Sequence, residues 1–123
     1  MDLATADVSF ISLAKVLPAV IARMRPDGPC DSIITLVKPQ FEAGPARVGR
    51  GGVVRDPAVH REVLLRVGGE CAALCRPFHA LIASPLRGAD GNREFLALLR
   101  RGAPGEALEA LAARAVTEAW SEP

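Results

Sequence analysis

Three observations predict an open α/β fold in one small domain. The run Ser32-Ile33-Ile34-Thr35-Leu36-Val37 is nearly all apolar and rich in β-branched residues, as a parallel strand covered on both faces should be. Segments of strand and helix character alternate along the chain, which implies helical crossovers over a mostly parallel sheet. The length of 123 residues, 50% of them hydrophobic, supports a single core.

Residues 3 to 8 form a short apolar run ending in a charge, the first expected strand. Leu13, Val16, Leu17, Val20, Ile21 and Met24 then recur at helical spacing and predict an amphipathic helix with one buried face. Ser9 or Ser12 can cap it, and Pro18 must either fall in its first turn or kink it. Lys38-Pro39 ends the second strand, and residues 40 to 57 read as a loop in which Gly44, Gly49, Gly51 and Gly52 alternate with Arg47, Arg50 and Arg55. A loop of that length in a compact domain points to binding. A helix from 57 to 76 follows, with Asp56 as N-cap, Pro57 at the first position and Gly68-Gly69 weakening its interior. Phe78 to Ser84 and Asn92 to Leu99 read as antiparallel strands joined by a hairpin-like connection, and residues 105 to 119 as a terminal helix. About four strands leave a sheet edge open, which invites self-association.

Fifteen Lys and Arg against 14 Asp and Glu give a net charge of +1, too little to announce nucleic-acid binding. Only the middle third is locally basic, which permits it. No apolar run reaches the ~20 residues of a membrane span, and no basic segment leads into a signal-type run, so the chain reads as cytosolic and without a membrane partner. Three cysteines argue against a disulfide framework. Cys71 and Cys75, four apart, extend the helical series Val59, Val63 and Val67 and read as core rather than metal ligands. His60 is expected on an exposed helix turn and His79 inside a strand, both structural. There is no phosphate-loop or dinucleotide fingerprint.

Ligands of open α/β sheets bind beyond the carboxyl ends of the parallel strands. Asp7 ends the first run, Lys38 ends the second, and Glu94 begins the returning antiparallel strand, so all three should meet at one rim. One chemical reading is that the acids orient Lys38 while partial burial makes its amine a proton acceptor for a hydroxyl, two influences that oppose each other. The other is a salt-bridged cluster without catalytic duty. Spacing alone leaves both open. The segment from Gly44 to Arg55 likewise reads as a phosphate cradle or as a solvated loop.

Four strings carry a family resemblance: Asp7-Val8-Ser9-Phe10-Ile11-Ser12-Leu13, Val37-Lys38-Pro39-Gln40-Phe41-Glu42-Ala43-Gly44, Gly51-Gly52-Val53-Val54-Arg55-Asp56-Pro57 and Gly91-Asn92-Arg93-Glu94-Phe95. In that order the chain resembles the TlyA family of ribosomal RNA 2'-O-methyltransferases, first labelled haemolysin-like and part of the FtsJ-type branch. The resemblance implies the C-terminal half of a Rossmann-like methyltransferase domain over residues 1–101, followed by a helix and tail over 102–123. It implies S-adenosyl-L-methionine as cofactor, ribosomal RNA or a ribosomal subunit as partner, and methylation of a cytidine ribose hydroxyl. Asp7, Lys38 and Glu94 match three members of a catalytic Lys-Asp-Lys-Glu tetrad. Asp7, Val8 and Ser9 would touch the cofactor, and Arg47, Arg50, Arg55 and Arg93 the RNA. The sequence begins where the family's fourth strand begins. The RNA-binding domain, the first lysine of the tetrad and the glycine-rich cofactor turn are therefore expected to be missing, and a non-catalytic RNA-binding or interaction fragment is the alternative.

Overall fold

The structure is a computed structural model and describes residues 3–6, 13–24, 31–44, 48–49, 52–86 and 91–121. In chain order the elements are β1 (Leu3–Ala6), α1 (Leu13–Ala22), β2 (Ser32–Val37), α2 (Pro39–Glu42), α3 (Pro57–Ala73), β3 (Phe78–Ala83), β4 (Phe95–Leu99) and α4 (Leu108–Trp120). The sheet order is β1-β2-β4-β3, with β1 parallel to β2 and β4 antiparallel to both its neighbours. The expected α/β class holds. The returning strand lies inside the sheet and hands the edge to β3.

Cross-strand register divides the side chains into two sets, because neighbouring residues of a strand point to opposite faces. Ile33 pairs with Leu99 and Val37 with Phe95, while Leu81 and Phe78 pair with Ala97 and Leu99. All of these are buried in one cluster with Leu13 and Leu17 of α1, Val63, Leu64 and Val67 of α3, and Leu111, Ala112 and Ala115 of α4. The alternate residues are different. Ile34 is 41% exposed and Ile82 49% exposed, so among the described residues β2 is covered on one face only, against the expectation of two. The helices that cross over this sheet fill one side of it.

Helix ends follow local chemistry. Asp56 caps α3, its carboxylate accepting from the Ala58 N–H at 2.9 Å, with Pro57 at the first position. The helix stops at Ala73, three residues short of the expected end, and Cys75 turns back with φ of 60°. Cys75 therefore leaves the helical stripe and is exposed, which corrects the expectation that both cysteines pack in the core; only Cys71 is buried. Burial pushes the Cys71 thiol up to about 12, with Glu70 and Glu42 adding to it, so it packs as a neutral group. Gly68 is more than a weak point in α3. A Cβ there would come within 2.5 Å of Leu108 Cδ1, so the glycine lets α4 approach the helix closely. Pro18 sits at the sixth position of α1, past its first turn, on the exposed side of the helix. The segment expected to be loop from 40 onward contains one helical turn, α2, started by Pro39.

His60 is the clearest correction. Expected on an exposed turn, it is wholly buried, and Trp120 at the end of α4 donates its indole N–H to His60 Nδ1 at 3.0 Å. The terminal helix covers the face of α3 that periodicity alone left to solvent.

Candidate active site

The register of β2 against β4 fixes the candidate site. Val37, the last residue of β2, pairs with Phe95, the first of β4, so Lys38 and Glu94 leave the sheet at the same rim. Lys38 is half-buried and occupies the N-cap position of α2 in an extended conformation, held there because Pro39 starts the turn. The turn closes through the Phe41 N–H to the Lys38 carbonyl at 2.9 Å and the Ala43 N–H to the Pro39 carbonyl at 2.8 Å.

Glu94 is 7% exposed and tied on two sides. Gln40 Nε2 donates to Glu94 Oε2 at 2.8 Å, and the Ser84 N–H donates to the Glu94 carbonyl at 2.8 Å. The carboxylate thus has a fixed direction before any ligand arrives. Gln40 Oε1 is buried and has no donor among the described residues, which leaves an unused acceptor beside Glu94. Glu42 anchors the same turn from behind. Its Oε1 accepts the Leu13 N–H at 2.7 Å, satisfying an orphan donor at the start of α1, and its Oε2 accepts from Arg66 Nη2 at 3.0 Å. Gln40 and Glu42 were not singled out by sequence reasoning. The available signal was two polar residues at alternate positions directly after Lys-Pro, inside one of the recognised strings.

Asn92 does for the glycine-rich segment what Glu42 does for α1. It is buried, and its side chain accepts the Val54 N–H at 3.0 Å and donates to the Gly52 carbonyl at 2.9 Å. Gly52 takes φ of 74°, a conformation that favours glycine, and the Gly49 N–H reaches the Val53 carbonyl at 2.9 Å. The described part of this segment is pinned to the residues leading into β4. Arg55 lies across it: a Cβ on Gly49 would sit 2.8 Å from Arg55 Nη1.

Arg93 is committed to the last turn of α4. Its Nε donates to the Ala119 carbonyl at 2.8 Å and its guanidinium carbon stands 3.9 Å from the centre of the Trp120 ring, a cation–π contact. Next to it, the His60 ring meets Phe95 edge-on, with centroids 5.5 Å apart. Burial, aided by the Arg93 charge and opposed by Asp56, lowers the His60 pKa from 6.5 to about 4. A neutral imidazole follows, with Nδ1 accepting the indole hydrogen bond and Nε2 carrying the ring proton.

Of the proposed site residues the structure thus brings Lys38 and Glu94 to one rim and places Arg55 and Arg93 on adjoining segments. Asp7, Val8, Ser9, Arg47 and Arg50 lie outside the described residues, as does Cys30. The described part of β1 runs parallel to β2 up to the pair Ala6 and Thr35, toward the same rim. Among the described residues no cluster of His, Cys, Asp and Glu could hold a metal, and no helix is long and apolar enough to cross a membrane.

Comparison with known proteins agrees with this architecture. A model of the FtsJ-like methyltransferases matches residues 1–101. YqxC of Bacillus subtilis (strain 168), named as a candidate rRNA methyltransferase, is 47% identical over 108 residues, which are 88% of this chain and 37% of that protein. The 16S/23S rRNA (cytidine-2'-O)-methyltransferase TlyA of Mycobacterium tuberculosis (strain H37Rv) is 42% identical over 122 residues, covering 96% of this chain and 44% of TlyA. A solved structure titled as a candidate haemolysin from Streptococcus thermophilus superposes with a TM-score of 0.78 at 36% identity, over 95% of this chain and 43% of the other. The chain spans less than half the length of the curated relatives it matches. Fold and relatives agree, and the chain belongs to the FtsJ-like methyltransferase family.

Proposed function

We propose that this chain carries the ribose-hydroxyl side of an S-adenosylmethionine-dependent RNA 2'-O-methyltransferase that modifies cytidine in ribosomal RNA. The observation that carries the reading is the rim itself, where Lys38 and a Glu94 carboxylate oriented by Gln40 leave paired positions of β2 and β4. In this reading Lys38 positions the ribose hydroxyl and takes the proton it loses. Glu94 stabilises the ammonium so formed, and Gln40 keeps Glu94 in place. Fixing the hydroxyl before reaction supplies much of the acceleration, because the loss of orientational freedom occurs on binding. The TlyA relative, named for cytidine 2'-O-methylation, favours this substrate.

At the described rim the amine can accept a hydroxyl proton and the carboxylate can hold the resulting ammonium. The residues that the resemblance implies for the cofactor, Asp7, Val8 and Ser9, lie outside the described set. When bound, S-adenosylmethionine supplies an electrophilic methyl carbon. The residues described here act only on the oxygen that attacks it.

The test is transfer of labelled methyl groups to ribosomal RNA by the chain, alone and mixed with a polypeptide comprising the portion of a TlyA relative that this chain does not match. Label is expected in 2'-O-methylcytidine and is expected to fall by at least ~100-fold with Lys38→Ala. Label that survives Lys38→Ala removes the lysine from its role. Absence of label in both arms, with ribosomal RNA still retained by the chain in a filter-binding assay, would leave RNA binding without catalysis as the function.

A further inference from the structure

Beside the rim, on the side away from β1, lies a cleft of about 370 Å³ between the end of β3, the lead-in to β4 and the last turn of α4. This volume is at the lower end of cavities that take small ligands, and it suits one nucleobase. Its walls are of two kinds. Ile82, Ala83, Pro85 and Ala119 are apolar, whereas Glu118, Ser84, Glu94 and Arg93 are polar.

The polar groups are arranged and not merely adjacent. Glu118 Oε1 accepts the Ala83 N–H at 2.8 Å, which fixes the carboxylate against the edge strand; among the described residues no hydrogen-bond donor occupies Oε2. Ser84 Oγ accepts the Leu86 N–H at 3.3 Å and keeps its hydroxyl proton to donate. Arg93 is held by Ala119 and Trp120 on the opposite wall.

From this cleft we infer that the protein reads the nucleotide flanking the target ribose, preferring a base with an exocyclic amine, with Glu118 as the specificity-determining residue. The inference rests on the reaction proposed above. A phosphate is disfavoured because the Glu118 carboxylate lines the space while the Arg93 guanidinium is already held by Ala119 and Trp120. A planar ring is favoured by the apolar walls. The edge of that ring must then satisfy a carboxylate acceptor and a hydroxyl donor. Cytosine, adenine and guanine each carry an exocyclic amine for the acceptor, while uracil carries an oxygen instead, which a carboxylate repels. Position supports the flanking site: adjacent strands are ~4.8 Å apart, so the cleft beyond β4 is one or two strand spacings from the end of β2, about a nucleotide step along an extended chain.

The test is a nuclear magnetic resonance titration of the whole isotopically labelled chain with the ribodinucleotides CpC, CpA and CpU. CpC and CpA are expected to shift the Ala83 and Ala119 amides and the Trp120 indole, and to bind on the order of tenfold more tightly than CpU. Glu118→Gln, which keeps an oxygen for the Ala83 N–H and puts an NH2 donor where Oε2 stood, is expected to abolish or invert that ratio while leaving distant resonances in place. Shifts confined to Lys38 and Gln40, equal binding of all three, or no shift in the cleft at millimolar ligand would each overturn the inference and leave the proposed reaction standing. Cleft shifts with the expected preference, together with methyl transfer that survives Lys38→Ala, would overturn the catalytic reading and leave the cleft as an RNA-binding site.

Discussion

The two faces of the one sheet were built under different constraints. On the helix-covered face Ile33, Val37, Phe95 and Leu99 are sealed beneath three helices, while on the other face Ile34, Ile82, Leu96 and Leu98 line an apolar surface that no described residue covers. The sequence of β2 reads the same on both faces, yet only one of them contributes to the core of this chain. What distinguishes them is the side on which the crossovers run and not the residues of the strand. Stability should therefore reside almost entirely on one side of each strand, and substitutions at neighbouring positions should differ by several kcal/mol.

Phe95→Ala is the largest expected effect. The ring is fully buried, touches His60 and begins β4, so its removal leaves a cavity and should cost about 3–5 kcal/mol, read as a lower urea midpoint. Because Phe95 follows Glu94, the proposed methyl transfer should decline with it. A loss below ~1 kcal/mol would show that the sealed face is not the source of stability.

The second effect is a pH dependence located on the sealed face. His60 has a folded pKa of about 4 against 6.5 for a free imidazole, so below pH 6.5 the unfolded chain takes up a proton that the folded chain refuses. Stability from the neutral ring is complete above pH 6.5 and is lost as pH falls toward 4, by on the order of 3 kcal/mol in all. Comparing urea midpoints of the parent chain and His60→Gln across that window isolates this contribution, and the variant should show a flatter profile.

Glu42→Ala comes third. It removes the acceptor of the Leu13 N–H and a partner of Arg66, and should cost about 1–3 kcal/mol. Hydrogen exchange should rise first at the start of α1, which would separate a local loss of anchoring from a general loss of packing.

How far the sequence reveals this molecule depends on whether the interactions are local. The strand at 32–37, the Asp56 cap with Pro57 and the antiparallel hairpin pair were readable, since period, capping and turn chemistry act over a few residues. That Lys38 and Glu94 leave the sheet at one rim was readable too, because strand direction decides which ends lie together. The burial of His60 was not, as it depends on Trp120 arriving from 60 residues away. Nor was the escape of Cys75 from its helix, which a single positive φ decides. The roles of Gln40, Glu42 and Asn92 were hidden for the same reason: each bonds across 29 residues or more.

The smallest expected effect is the one that tests the open face. Ile34→Thr and Ile82→Thr keep a β-branched side chain at exposed strand positions, so each should change the stability of the isolated chain by no more than ~0.5 kcal/mol. The measurement is a thermal midpoint taken at several protein concentrations. If a second copy sealed this face, the midpoint would rise with concentration and each substitution would cost well over 1 kcal/mol, since burial of an isoleucine is worth ~1.5–3 kcal/mol. A midpoint that is independent of concentration and indifferent to both substitutions would confine the chain's own folding energy to the helix-covered side.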